Sequence, residues 1–303
     1  MFEWFLSFWS ESQQDFFIYI TAGAHQAFYR SFLTIVGVTA VGSCLALGFG
    51  MVGAVLARAR APLFSIPGRL YMNMVRGIPD LLFFVFFPLA IILIIKVVRT
   101  WLYCAPGTPL FDGINFAGCP QSEFLDEGAG FLYWFTEADR WISGPALWLG
   151  ENFERLFNLA LACLAIGLIF GAFAANVIRG ALDSVPAAQL EAARAYGFRE
   201  RQIFWRIHMP QMWIYAWGGL TNIWVLIIKA TSLLSLLGIQ EAVWWTVNKL
   251  GPPQPRAFVG YVHGDWTVYY LFLLLIFYLL FTYASETGFA WGKRRLGKGM
   301  GAT

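Results

Sequence analysis

Long apolar runs, rather than alternating or amphipathic segments, dominate the hydrophobic pattern of this chain. A helix crosses the hydrocarbon core of a membrane with roughly 20 mostly apolar residues. The pattern therefore predicts an all-α, polytopic membrane protein with about five transmembrane helices. The five predicted spans cover residues 31–57, 70–95, 156–178, 211–237 and 266–285.

Two of these spans carry ionisable side chains: Arg76 and Asp80 lie in the second, and Lys229 lies in the fourth. Such residues are costly in a membrane and usually face a cavity or a partner. Lys229 with its neighbouring hydroxyls predicts a broken or cavity-lining region of the helix. Helix ends and hydrogen bonds between helices explain the same residues equally well. The candidate residues of a substrate pathway are Arg76, Asn176, Lys229, Thr231 and Ser232.

Composition supports the membrane assignment and excludes one other class. Hydrophobic residues make up 58% of the chain and charged residues 13%, and the mean hydropathy is +0.60. This balance is far from that of a soluble domain. The net charge of +3 is not gathered into a basic face, so nothing indicates a nucleic-acid partner.

The distribution of charge predicts the orientation of the chain. Basic residues follow the first span, fill the region between the third and fourth, and follow the fifth, whereas the region between the second and third is acidic. Cytoplasmic loops carry the excess of Lys and Arg. We therefore expect the N-terminus outside and the C-terminus in the cytoplasm. The 1–29 segment lacks the basic start of a cleavable signal peptide.

The predicted organisation has five parts, with a long insertion outside the membrane. The insertion is expected to be mostly loop, with a short amphipathic helix near 131–142. An oxidising compartment permits Cys104 and Cys119 to form a disulfide, and two free thiols are the alternative. Residues 1–30 form a periplasmic or interfacial N-terminal segment, residues 31–98 contain spans one and two, and residues 99–155 form the insertion. Residues 156–292 form a core that contains spans three to five and a cytoplasmic loop at 180–210, and residues 293–303 form a basic tail.

The 180–210 loop has the pattern of two short helices. Residues 187–196 suit a helix that Gly197 ends, and residues 200–208 resume a helical pattern with Ile203, Phe204 and Ile207 on one face. Pro210 then opens the fourth span. Such a hairpin on the membrane surface fits a groove of another protein and transmits its motion.

The spacing in this loop resembles the cytoplasmic coupling motif, the EAA motif, of ABC importer permeases. That motif usually has Leu where Met209 stands. Residues 229–233 and 76–79 are similar to the polar amino-acid branch of these permeases, and 191–198 is similar to histidine and opine permeases. The motif residues are Glu191, Ala192, Ala193, Gly197, Ile207 and Pro210.

The resemblance implies the permease subunit of a type I ABC importer in a bacterial inner membrane. It implies a second permease chain, identical or different, two ATPase subunits that bind the ATP, and a periplasmic substrate-binding protein. The chain itself would need no cofactor and would not be an enzyme. Ile78, Ala188, Ala230 and Asn176 depart from the usual residues of the branch, and the identity of the substrate therefore stays open.

Two other classes compete with this interpretation. A secondary transporter or channel that works alone would use the charges in the spans for ion coupling, but the odd number of spans and the lack of an internal repeat disfavour it. A membrane-embedded enzyme is disfavoured because His25, His208 and His263 lack metal-ligand spacing. The chain also has no phosphate-binding motif.

Overall fold

The computed structural model describes residues 11–59, 61–79, 81–88, 90–91, 94, 131–237, 239–253 and 263–297. These residues form helices and connecting turns, with no strand among them. Residues 81–88 are helical, π-helical turns cover Phe204–His208 and Thr246–Leu250, and a 3₁₀ helix covers Thr231–Leu237. The α-helices are α1 Glu11–Thr21, α2 Gly23–Ala57, α3 Pro62–Gly77, α4 Phe131–Asp183, α5 Ala187–Ala195, α6 Glu200–Ile203, α7 Met209–Ala230, α8 Ala242–Trp245 and α9 Thr267–Gly297.

Four helices of the described part are long and apolar enough to cross a membrane. They agree with four of the five predicted spans. The remaining predicted span, 70–95, lies partly outside the described residues, so the count of five stays a prediction, as does the orientation. The four helices are Gly23–Ala57, Asn158–Asp183, Glu200–Ser235 and Thr267–Arg295.

The chain divides into two compact units. One comprises Met1–Asp80 together with Ile166–Thr303, and the other comprises Leu81–Ala165. The residues that matter for function below all belong to the first unit. Cys104 and Cys119 lie outside the described residues, so their pairing stays a prediction.

Helix α2 shows why small residues recur in the first span. Its buried positions repeat every three or four residues, which is the spacing of one helical face. A Cβ added to Gly50 would lie 2.6 Å from the Ala174 Cβ, and one added to Gly42 would lie 2.7 Å from Ile166 Cγ2. These glycines let α2 and α4 approach closely, and they therefore serve packing within the chain.

Two apolar clusters hold the first unit together. One joins the cytoplasm-proximal parts of four helices in the predicted orientation, and it includes Met72, Ile178, Met209 and Met212. The other joins α2 to the α8 region and α9. Its members are Phe28, Ile35, Ala242, Leu250 and Leu274.

Two helices extend beyond the predicted boundaries. Residues 131–154 were expected to be loop beyond a short helix at 131–142, yet α4 runs from Phe131 to Asp183. Gly144 and Pro145 lie inside this helix, although an interior proline normally kinks or breaks a helix. Helix α2 begins at Gly23, before the first predicted span at residue 31, and His25 and Phe28 in its first turns are buried.

Candidate functional site

A glycine turn separates α5 from α6. Gly197 has a φ of +78°, in the left-handed region that glycine adopts without a side-chain penalty. The Gly197 N–H donates to the Arg194 carbonyl oxygen at 2.9 Å, and the Phe198 N–H donates to the Ala193 carbonyl oxygen at 3.1 Å. These bonds form a Schellman motif, which satisfies the last carbonyl groups of a helix. The predicted helix, glycine turn and second helix are therefore confirmed.

An ion pair crosses this turn. Arg194 Nε donates to Glu200 Oε1 at 2.6 Å, and Arg194 Nη2 donates to Glu200 Oε2 at 3.3 Å. Two parallel hydrogen bonds between a guanidinium and a carboxylate fix the relative orientation of the two groups as well as the distance between them. Glu200 also raises the pKa of the Arg194 guanidinium by accepting these bonds. Because both side chains are exposed, the pair orients the two helices more than it stabilises the fold.

Two hydrogen bonds attach this hairpin, residues 187–208, to the membrane helices, and the residue that follows it, Met209, packs among them. His208 Nε2 donates to the Leu182 carbonyl oxygen at the end of α4, at 2.9 Å. The side-chain amide of Gln211, in α7, donates to that of Gln189, in α5. Met209 is buried in the apolar cluster that contains α4 and α7 residues. The hairpin is thus joined to two of the spans rather than suspended from a loop.

The second arm of the hairpin continues into the membrane as one helix. The helical run Glu200–Ser235 includes α6, the π-helical turn and α7, and its 36 residues span roughly 54 Å. In the π-helical turn the Met209 N–H bonds to the Phe204 carbonyl oxygen. Pro210 follows directly, at the start of α7 as predicted. The wider turn makes room for the proline ring, which would clash in a regular helix.

The predicted coupling residues divide into exposed and packed positions. The exposed motif residues are Glu191, Ala192, Gly197 and Pro210. Ile207 is half-buried and Ala193 is buried. The outer surface of the hairpin also exposes three large aromatic side chains, which the motif alone did not identify as a group. They are Tyr196, which is 85% exposed, Phe198 and Trp205.

Four of the five candidate pathway residues are described with their side chains; that of Arg76 is not. Asn176 is half-buried and donates to the Ala172 carbonyl oxygen of its own helix at 2.9 Å. The α-helix changes to a 3₁₀ helix at Thr231, which confirms the predicted break. Thr231 Oγ1 donates to the Ile228 carbonyl oxygen at 2.7 Å, and Ser232 Oγ donates to that of Lys229 at 2.7 Å.

Lys229 and Ser232 line a groove of about 490 Å³ along α9, called here the α7–α9 groove. Lys229 is exposed and stands in the last turn of α7. Asn176 is not among the described residues that line the groove, so the structure brings together only part of the predicted set. The remaining lining residues, all in α9, are Leu275, Tyr278, Leu279, Thr282, Tyr283 and Glu286.

The fold and the hairpin define a class: a polytopic helical membrane protein with a docking hairpin built onto its spans. The chain belongs to the family of binding-protein-dependent transport system inner membrane components, whose model matches residues 46–297. The resemblance to ABC importer permeases is therefore confirmed. It places the chain among the membrane components of transport systems, which are not themselves catalytic.

Curated relatives are permease proteins of amino-acid and opine transport systems. The chain is 33% identical over 130 residues to the arginine ABC transporter permease protein ArtQ of Escherichia coli K12, covering 43% of this chain and 53% of that one. It is 34% identical over 138 residues to the histidine/lysine/arginine/ornithine transport system permease protein HisQ of the same strain, covering 45% and 55%. It is 32% identical over 111 residues to the octopine transport system permease protein OccQ of Rhizobium radiobacter, covering 37% and 47%. The chain spans about half the length of these relatives.

Solved structures support the fold over most of the chain. An amino acid ABC transporter crystallised with histidines matches with a TM-score of 0.54 and 12% identity, covering 89% of this chain and 94% of that one. An inward-facing MetNI methionine ABC transporter matches with a TM-score of 0.52 and 14% identity, covering 90% and 97%. At these identities the likeness shows the fold alone.

Proposed function

We propose that this chain is the transmembrane permease subunit of an ATP-driven importer for polar amino acids, with basic amino acids or opines as the favoured cargo. The observation that carries the proposal is the hairpin at residues 187–208, joined to α4 and continuous with α7. Its motif resembles the ATPase-coupling loop of such permeases. The names of the relatives support the cargo class, and family membership disfavours a transporter that works alone.

In this proposal the hairpin seats on an ATPase subunit and follows its motion. The Schellman motif and the Arg194–Glu200 pair keep the two arms at one angle, so a push on the turn moves both arms together. Because α6 and α7 lie in one helical run, the motion reaches Lys229 without crossing a loop. A separate subunit hydrolyses the ATP, a second permease chain completes the pathway, and a periplasmic protein delivers the substrate.

The proposal includes a topology of five spans in a bacterial inner membrane, with the hairpin and the C-terminus in the cytoplasm. The clustering of Arg and Lys in the hairpin and at the C-terminal end of α9 supports it. Green fluorescent protein fused after Thr303 should fluoresce, and alkaline phosphatase fused before Met1 should be active. An active phosphatase at the C-terminal position contradicts the orientation.

The test of function is ATP-driven uptake of tritiated amino acids by vesicles that contain this chain with its co-expressed ATPase subunit and binding protein. Gly197→Arg should abolish uptake while the chain still inserts, because a large charged side chain would occupy the docking surface. Gly264→Arg controls for a charged side chain at an exposed glycine with no atom within 4 Å of an added Cβ, and Gly197→Ala controls for the positive φ of Gly197. Normal uptake with Gly197→Arg refutes the coupling role, and uptake that does not depend on ATP refutes the importer.

A further inference from the structure

A small cavity, called here the tryptophan cavity, lies among α2, α4, α7 and α9 of the first unit. Its volume is about 130 Å³, and it shares no lining residue with the α7–α9 groove. Its walls are almost entirely apolar and include four large aromatic side chains. These are Trp213, Trp217 and Trp224 of α7 and Phe289 of α9. The other lining residues are Ser43, Ala46, Leu47, Ala174, Leu220, Thr221, Ile223 and Ile227.

The size and the walls of the tryptophan cavity suit a single aromatic ring. An engineered protein cavity of about 150 Å³, lined by Leu, Ile and Phe, stays dry and binds benzene. Here Phe289 packs edge-to-face on Trp217 and Trp224, with ring centroids 6.0 and 5.5 Å apart. These rings present an aromatic wall on which one further ring can pack in the same manner.

Two polar atoms of the cavity walls have no hydrogen-bond partner in the described part of the chain. They are Ser43 Oγ and Trp224 Nε1, and both are buried. Ser43 differs in this from Ser31 and Thr39, the other buried hydroxyls of α2, which donate to carbonyl oxygens of their own helix. An unpartnered polar group in such a setting costs about 1–3 kcal/mol. The two atoms therefore favour an occupant that supplies a partner.

A single hydroxyl on the occupant can serve both atoms. An indole N–H can only donate a hydrogen bond, whereas a hydroxyl both donates and accepts. The ligand oxygen would accept from Trp224 Nε1, and its hydrogen would be donated to Ser43 Oγ. Two further polar groups of the walls are already bonded and do not compete. Trp217 Nε1 donates to the Phe289 carbonyl oxygen at 3.1 Å, and Thr221 Oγ1 donates to the Trp217 carbonyl oxygen at 2.9 Å.

Water is the alternative occupant of the tryptophan cavity. The volume has room for several water molecules, and a buried water typically makes about three hydrogen bonds. The two unpartnered atoms supply too few bonds for several waters, and the wall is otherwise almost entirely apolar. An aromatic ring with one hydroxyl matches the apolar wall and the two polar atoms together.

We infer that the tryptophan cavity is a binding site for a small aromatic alcohol of the size of phenol. The ring packs on Trp224 and Phe289, and the hydroxyl bridges Trp224 Nε1 and Ser43 Oγ. Because the walls come from four helices, a bound ligand braces α7 against its neighbours. If the hairpin moves α7, a filled cavity slows transport. This consequence, unlike the binding itself, rests on the proposed function.

The binding test is fluorine NMR of 4-fluorophenol and fluorobenzene with the full-length chain in lipid nanodiscs. Empty nanodiscs measure partition into lipid, and saturable signal beyond that is ligand bound to the chain. Both probes should bind, 4-fluorophenol more tightly. Ala46→Leu, which fills the cavity, should abolish saturable binding of both probes. Ala40→Leu, at an exposed position of the same helix, should not.

The preference for 4-fluorophenol over fluorobenzene tests the hydroxyl bridge. Ser43→Ala and Trp224→Phe should each reduce the ratio of the two affinities roughly 3- to 10-fold. Thr221→Val should leave the ratio unchanged, because the Thr221 hydroxyl bonds to its own helix. The ratio is insensitive to partial misfolding, since an inactive fraction lowers the amount of both probes that is bound. An unchanged ratio in both Ser43→Ala and Trp224→Phe contradicts the bridge.

The site is overturned if the wild-type chain shows no saturable binding, as a cavity that holds only water would give, or if binding survives Ala46→Leu. In the uptake assay, 4-fluorophenol should slow ATP-driven uptake by the wild type and by Ala40→Leu. Ser43→Ala and Trp224→Phe should need roughly 3- to 10-fold more of it for the same inhibition. Saturable binding without inhibition refutes the effect on transport alone, whereas the absence of any ATP-driven uptake refutes the proposed function and not the site.

Discussion

Replacing Gly197 with alanine tests whether the hairpin depends on its left-handed turn. A Cβ at this position meets no atom within 4 Å, so the substitution introduces no clash. Its effect comes from the φ of +78°, which costs an ordinary L-residue roughly 1–2 kcal/mol. Asparagine tolerates this conformation better than alanine does. We therefore expect the turn to be destabilised most by Gly197→Ala and less by Gly197→Asn.

The assay is hydrogen exchange at residues 197 and 198, whose amides bond to the carbonyl groups of Arg194 and Ala193. A loss of about 1–2 kcal/mol should speed exchange through local opening roughly 5- to 30-fold. ATP-driven uptake should fall in the same order, alanine below asparagine below wild type. The reasoning is refuted if alanine exchanges like the wild type, or if asparagine and alanine are equally damaging.

The other predictions concern packing, a buried carboxylate and the hairpin ion pair. Gly50→Val should lower stability by roughly 1–3 kcal/mol through overpacking, measured as a lower thermal midpoint, while Gly48→Val, which meets no atom within 4 Å, should change little. Burial raises the pKa of Glu241 from 4.5 to about 7, so its contribution to stability is complete below pH 4.5 and is lost as the pH rises to 7. The Glu241→Gln variant should therefore have the same free energy of unfolding as the wild type near pH 4.5 and a higher one above pH 7, by up to about 3 kcal/mol. Thermal unfolding of both proteins at the two pH values checks this, and a difference in stability that does not change with pH contradicts it. Charge reversal at Arg194 or Glu200 alone should reduce uptake and the double reversal should restore it, whereas equal activity of all three variants means that the pair does not orient the hairpin.

The hairpin was predictable because its determinants are local. Gly197 ends α5 through bonds to residues only three and five positions earlier, and the apolar spacing around Ile203 marks the second arm. Pro210 likewise marks the start of α7 from its own chemistry. Each of these signals acts within about one turn of helix, which is the range over which a sequence pattern is reliable.

The groove was only partly predictable because its walls come from distant parts of the chain. Lys229 stood out as a charge within an apolar run, but Glu286 lies just beyond the predicted end of the last span at residue 285. Its significance depends on the pairing of α7 with α9, which the pattern of neither helix shows. The early start of α2 was missed for the same reason, since His25 bonds to Tyr270, 245 residues away, at 2.7 Å.

The hairpin and the α7–α9 groove share one structural element. Lys229 stands on the helix that begins in the hairpin, whereas Glu286 stands on α9, outside that helical run. Any displacement of α7 relative to α9 therefore changes the distance between the two charges. The change from α to 3₁₀ helix at Thr231 provides a place where such a displacement can be absorbed. In the proposed function, motion of the hairpin would therefore reach the Lys229 side of the groove directly through α7, whereas the Glu286 side stands on a separate helix.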